Sequence, residues 1–108
     1  MSGFPAVVTT AAGLPRRLMV DASHGNSGKD HRRQPLVAAC LAEQVAAGER
    51  GLTGVMLESF LRAGRQQPGP PPALTYGQSV TDACLDIDTT AAVLDTLAAA
   101  VRTRRNAL

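Results

Sequence analysis

The stretch from Arg17 to Gln34, RLMVDASHGNSGKDHRRQ, narrows the choice of fold more than any other part of the chain. A short apolar run, Leu18-Met19-Val20, ends in Asp21, Ala22, Ser23 and His24, and gives way at once to the polar loop Gly25-Asn26-Ser27-Gly28-Lys29. This is how a buried parallel strand delivers polar residues to its C-terminal end. Ligands in α/β folds bind at that end of the sheet, so the apolar half reads as scaffold and the polar half as site.

The rest of the chain repeats the pattern. Leu52-Thr53-Gly54-Val55-Met56-Leu57 is a second apolar run, with Glu58 and Ser59 at its end, and Val80 to Leu85 is a shorter third. Strands are expected over 17–22, 52–58 and 80–84. Pro35 suits a helix start, and Leu36, Val37, Cys40, Leu41, Gln44 and Val45 form an i, i+4 stripe that stops at Gly48, so a helix is expected over 35–47. A second helix, over 89–104 and capped by Asp88 or Thr89, carries Leu94, Leu97, Ala98 and Val101 on one face. Leu61 to Ser79 holds Gly64, Pro68-Gly69, Pro70 to Pro72 and Gly77, a composition that excludes regular elements. Loops of that length in compact domains are functional or mobile. Residues 1–15, with Pro5 and the pairs Val7-Val8 and Thr9-Thr10, read as an irregular or helical lead-in. The order β, α, β, loop, β, α implies an α/β layer of parallel strands with right-handed connections.

Composition bounds how stable and how large this layer is. With 108 residues the chain is one domain at most. Alanine is the commonest residue in its hydrophobic fraction of 44%, which has no Trp, two Phe and one Tyr. Small side chains bury little area, and at about 25 cal/mol per Å² the resulting core is weak. The chain is therefore expected to be marginal alone. Its net charge is only +2, and ten of its eleven basic residues are arginine, without the basic and aromatic stripes of a nucleic-acid binder. Arg102, Arg104 and Arg105 close the last helix, where cations complement its dipole. Cys40 and Cys84 stand apart and read as free, buried thiols in a reducing compartment. No apolar run reaches the roughly 18 residues of a membrane span, and Met1 to Gly13 lacks the layout of a secretion signal, so the expected location is the cytoplasm.

His24 follows the first run, Glu58 ends the second and Asp82 lies in the third, and the three are expected at one end of the sheet, with Asp21, Ser23, Asn26, Lys29 and Ser59 as candidate lining. An imidazole and two carboxylates can hold a divalent cation such as Mn²⁺, Fe²⁺ or Zn²⁺, or can form an acid/base set. Two sharper motifs fail. The loop spacing is GxxGK rather than GxxxxGK, with Asp30 where Ser or Thr would contact Mg²⁺, and no HExxH is present. Lys29, in a glycine-flanked loop, reads as solvated or phosphate-contacting rather than as a Schiff-base amine.

The strings GLPRRLMVDASHGNSGKDHRRQ, GVMLES and LTYGQSVTDACLD, in this order, resemble the C-terminal third of the type I 3-deoxy-D-arabino-heptulosonate 7-phosphate (DAHP) synthases. The resemblance implies part of a metal-dependent (β/α)8 TIM barrel that condenses phosphoenolpyruvate with erythrose 4-phosphate at the opening of the shikimate pathway. It also implies that His24, Glu58 and Asp82 are ligands of a divalent metal, one of Mn, Fe, Co or Zn. In the family, a cysteine supplies a fourth ligand and a Lys-Pro-Arg motif grips phosphate. Both precede the region matched here, and neither Cys40 nor Cys84 corresponds to the ligand cysteine. The expectation is a single incomplete domain over 1–108, about the last three β/α units, with open sheet edges. Three readings follow: a synthase piece that needs a complementing chain, a non-catalytic module that docks on a full-length synthase, or an unstable truncated product. Open edges predict self-association when no partner covers them.

Overall fold

Two short parallel strands, β1 (Leu18–Asp21) and β2 (Leu52–Met56), form the sheet. In the computed structural model, which describes residues 17–107, the chain between them crosses over through α1 (Gln34–Ala46). The long helix α2 (Ile87–Asn106) then packs against α1. The expected lead-in over 1–15 lies outside the described residues. Leu18 pairs with Leu52, and after an irregularity Met19, Val20 and Asp21 pair with Gly54, Val55 and Met56. The glycine matters at that step: a Cβ on Gly54 would meet the Met19 Cε at 3.0 Å.

The helices cover one face of the sheet. Leu41, Ala42, Val45, Leu52 and Ala100 make the buried cluster, and Val20, Val37, Ala46, Val55 and Leu97 pack around it. Alanines supply much of this contact, because side chains that small let two helices approach closely. The faces of both helices therefore differ from those read off the larger apolar residues. In α1, Gln34, Ala38, Leu41, Ala42 and Val45 are buried, whereas Leu36 is exposed. In α2, Thr90, Val93 and Ala100 are buried and Leu97 is half-buried, while Leu94, Ala98 and Val101 face solvent.

The third expected strand, 80–84, does not form among the described residues. Leu85 makes a parallel bridge to Ser59, as the expected topology requires, but it remains isolated. Leu85 N–H donates to Glu58 O and Phe60 N–H to Leu85 O, each at 2.9 Å, while on the opposite side the long loop folds back so that Gly64 N–H donates to Cys84 O at 2.8 Å and Cys84 N–H donates to Gly64 O at 3.1 Å. The loop has one short 3₁₀ turn, Pro71–Ala73, and is stitched by side-chain amides: Gln66 Nε2 donates to Thr75 O and Gln78 O, and Gln78 Nε2 donates to Ala63 O.

The start of α2 also differs from the expectation. Its cap is Asp86, not Asp88 or Thr89, because Asp86 is the last extended residue and its carboxylate accepts from Thr89 N–H at 3.1 Å and Thr89 Oγ1 at 2.6 Å. At the other end Arg104 and Arg105 fall in the last turn, and Arg104 Nη1 donates to Glu49 O at 2.8 Å, pinning the turn that leads into β2. Cys40 and Cys84 are free thiols, half-buried rather than buried. Among the described residues no helix is long and apolar enough to cross a membrane.

Candidate metal centre

The turn after β1 is built to hold one imidazole. Ala22 N–H donates to Met56 O at 2.9 Å, extending the pairing of β1 with β2. The backbone then winds into a 3₁₀ turn, Gly25–Ser27, with Ser27 N–H and Lys29 N–H both donating to His24 O. The buried Ser27 hydroxyl donates to Ser23 O, closing the turn from inside. Gly28 and Lys29 both take left-handed backbone angles, with φ of 63° and 62°, and the Lys29 side chain faces solvent. Asn26 lies within the turn.

Asp21 sets the ring. Its Oδ1 accepts from Ser23 N–H at 2.8 Å and from the Ser23 hydroxyl, and its Oδ2 lies 2.6 Å from His24 Nδ1. The Ser23 hydroxyl and the His24 imidazole, with the Ser23 N–H, hold the Asp21 carboxyl well below the usual carboxylate range. A carboxylate at Nδ1 requires the proton there, which points Nε2 the other way. Nε2 is the atom that meets the rest of the cluster, 2.8 Å from Glu58 Oε1 and 3.3 Å from Asp82 Oδ2. The Asp21 hydrogen bond, more than the charges of Asp21 and Glu58 and the contact to Asp82, raises the His24 pKa against the opposing effect of desolvation.

Glu58 reaches the cluster from the end of β2, and a residue absent from the expected set holds it there. Gln34 is fully buried at the start of α1; Glu58 N–H donates to its Oε1 at 3.0 Å, and its Nε2 donates to Glu58 O at 3.4 Å. One amide thus pairs with both backbone groups of Glu58, whose carbonyl also accepts from Leu85 N–H at 2.9 Å. Its only sequence signal is a polar residue ahead of a proline at a helix start, which has no meaning until the tertiary contact is known. Asp82 comes from the bend before Leu85, tied down by Arg65 Nε donating to Thr81 O at 2.7 Å and by the Gly64–Cys84 pairing. Ser59 faces away from the cluster: its hydroxyl lies 2.6 Å from Thr90 Oγ1 and links β2 to α2. Burial pushes the Cys84 thiol up, and its Sγ donates to Asp82 O, so it stays protonated beside the cluster.

The donor set fits a divalent cation. One atom each of His24, Glu58 and Asp82 lie within 4.8 Å of one another. One imidazole nitrogen and two carboxylate oxygens suit Mn²⁺, Fe²⁺ or Zn²⁺, and a carboxylate behind the imidazole is the usual outer support of a metal-bound histidine. Three carboxylates around one imidazole also leave the cluster acidic, which a dication would offset.

Residues 4–95 match the model of the DAHP synthetase I family. The chain is 51% identical over 107 residues to the phospho-2-dehydro-3-deoxyheptonate aldolase of Corynebacterium glutamicum, covering 93% of this chain and 29% of that protein. It is 50% identical over 98 residues to the tyrosine-inhibited enzyme of that name from Schizosaccharomyces pombe, covering 87% of this chain and 26% of that protein. The solved phospho-2-dehydro-3-deoxyheptonate aldolase of Francisella tularensis superposes with a TM-score of 0.77 at 49% identity, over 82% of this chain and 25% of that one. The chain thus spans between a quarter and a third of the length of these relatives. With the family model spanning both strands, the whole His24, Glu58 and Asp82 cluster and the first part of α2, the chain belongs to the DAHP synthetase I family.

Proposed function

We propose that this chain carries the metal-holding C-terminal portion of a phospho-2-dehydro-3-deoxyheptonate aldolase, and that it works only when joined by the rest of a (β/α)8 barrel. The observation that carries the reading is the convergence of His24, Glu58 and Asp82, with Asp21 behind the imidazole, inside the segment that matches the family. In this reading the three side chains hold a divalent metal, and Asp21 keeps the His24 proton on Nδ1. Gln34 fixes the Glu58 backbone, and the Gly25–Ser27 turn fixes that of His24. A bound dication supplies Lewis-acid polarisation of a carbonyl oxygen. The substrates are phosphoenolpyruvate and erythrose 4-phosphate, both phosphorylated anions whose binding needs positioned cations. Lys29 is exposed, and Arg104 is committed to backbone carbonyls at the opposite end of β2. In this reading the cations that grip phosphate come from a complementing segment.

Two measurements test this. Titration calorimetry with Mn²⁺ is expected to show binding by the wild-type chain and none by His24→Ala; equal binding by both rejects the ligand assignment. Mixed with the preceding part of a family member, the chain is expected to support metal-dependent condensation of the two substrates, abolished by Glu58→Ala. The chain alone is expected to be inactive, since losing even one preorganised charge stabiliser costs about 10²- to 10³-fold in rate. Chelator-sensitive turnover by the chain alone would overturn the need for a complement.

A further inference from the structure

We propose that Thr90, in the first turn of α2, is a positioning residue for the metal cluster, acting through Ser59 on the segment that presents Glu58. The inference rests on the metal-holding reading above and adds a residue that touches none of the three ligand side chains. Thr90 is buried, and its Oγ1 donates to Asp86 O at 2.9 Å. A threonine hydroxyl carries a single proton, and that bond uses it. The Ser59 hydroxyl, 2.6 Å from Thr90 Oγ1, is therefore the donor of the pair. The bonds run one way, from Ser59 through Thr90 to the Asp86 carbonyl at the start of α2.

The tie acts on the carboxylate next to it in the chain. Glu58 Oε1 lies 2.8 Å from His24 Nε2 while the Ser59 hydroxyl meets α2, so the two neighbouring side chains point to opposite sides, as on a strand. Gln34 and Leu85 hold the backbone of Glu58. Holding the Ser59 side chain as well stops the segment from rotating about its own axis, the motion that would swing Glu58 away from His24. The same helix start steadies the third ligand. Asp82 stands four residues before Asp86, and between them Leu85, 2% exposed, donates its N–H to Glu58 O and accepts from Phe60 N–H. The first turn of α2 thus holds Glu58 through a side-chain tie and Asp82 through the backbone, and the spacing of the two carboxylates follows the seating of that turn. Loss of the Thr90 hydroxyl alone leaves the turn in place, because Thr90 N–H still donates to Asp86 O at 3.0 Å and the Asp86 carboxylate still accepts from Thr89.

Mn²⁺ titration calorimetry of the full chain, at a temperature where circular dichroism shows every variant folded, tests the inference. Thr90→Val keeps the branched shape and removes the hydroxyl; it is expected to weaken Mn²⁺ binding by about three- to tenfold, the span of one hydrogen bond's net contribution. Ser59→Ala, at an exposed position, is expected to match it, and the double variant to be no weaker than either, since both changes remove the same bond. Thr90→Ser restores the hydroxyl and is expected to bind as wild type does. It is also expected to restore the visible absorption of bound Co²⁺, a reporter of ligand arrangement, that Thr90→Val shifts. Thr90→Val that binds as tightly as wild type overturns the inference. So does Thr90→Ser that binds no better than Thr90→Val, or losses at 59 and 90 that add in the double variant. Equal Mn²⁺ binding by wild type and His24→Ala brings down the metal-holding reading and this inference with it, whereas binding that His24→Ala loses and Thr90→Val keeps in full rejects only the role given to Thr90.

Discussion

Asp21 illustrates how a residue outside the proposed ligand set can orient a member of it. As the last residue of β1 it turns its carboxylate onto Ser23 and His24, and both keep it ionised. Replacing it with asparagine keeps the shape but removes the charge that anchors the Nδ1 proton. Outer partners of metal-bound histidines are worth about 10- to 100-fold in affinity, and Asp21→Asn is expected to weaken Mn²⁺ binding by that amount in calorimetry. His24→Ala should abolish binding, and unchanged affinity in Asp21→Asn would show that the ring is held by packing instead. Gln34 acts one step further out, through the backbone of Glu58. Removing its amide leaves a buried N–H unpaired, so it belongs to the site although it reaches no metal.

Among the elements, the two helices depend on different local chemistry. Helix α1 has no side-chain cap; it is preceded by the turn His31–Arg33, whose Asp30 carboxylate accepts from Arg32 N–H and pairs with the Arg32 guanidinium. Helix α2 is capped by Asp86. The Arg32 guanidinium holds the Asp30 carboxyl at about 2, and Thr89 holds Asp86 below the usual carboxylate range. A carboxyl depressed in the folded state contributes stability above its unfolded pKa, and that contribution is lost as pH falls through the folded value. For Asp30 the loss runs from its ordinary 3.8 down to about 2, and Asp86 loses its share over the same acid side. Acid unfolding followed by circular dichroism is expected to steepen below about pH 4. Asp86→Ala is expected to flatten part of that slope and to lower the melting temperature by a few degrees, by unravelling the first turn of α2. A melting temperature unchanged at neutral pH would mean the cap contributes nothing.

At the scale of the whole molecule the described residues form a slab. Its extents are 53 × 31 × 19 Å and its Cα radius of gyration is 16.2 Å, against about 13 Å for a closed domain of 100 residues. Helices cover one face of the sheet, and on the other Met19 is 71% exposed and Met56 41%. Parallel sheets are ordinarily covered on both faces, so this face awaits a complement, as the proposed barrel would provide. The single core is correspondingly fragile. Leu41 is its centre, 3% exposed and packed among alanines and Val45. Leu41→Ala is expected to cost about 2–5 kcal/mol, a large share of a domain stability of about 5–15 kcal/mol. In urea titrations the variant should lose its cooperative transition, and a midpoint within error of wild type would show that the core lies elsewhere.

The apolar runs ending in polar residues were enough to place β1, β2, α1 and α2 to within a few residues, and to single out His24, Glu58 and Asp82, because strand and helix periods are local properties of a chain. The resemblance carried by GLPRRLMVDASHGNSGKDHRRQ and its companion strings pointed to the family that the comparisons then showed. Local patterns caught the buried face of α1 only in part, with Leu41 and Val45 in the core but Leu36 exposed, and missed that of α2, since alanines at 38, 42 and 100 become core only when two helices meet. They also marked Val80 to Leu85 as a strand, whereas in the fold Leu85 makes only an isolated bridge to Ser59 and Cys84 pairs with Gly64 of the loop. Gln34 and the Asp21–His24 pairing were set by tertiary structure for the same reason: a buried polar group takes its meaning from the partner that folding brings to it.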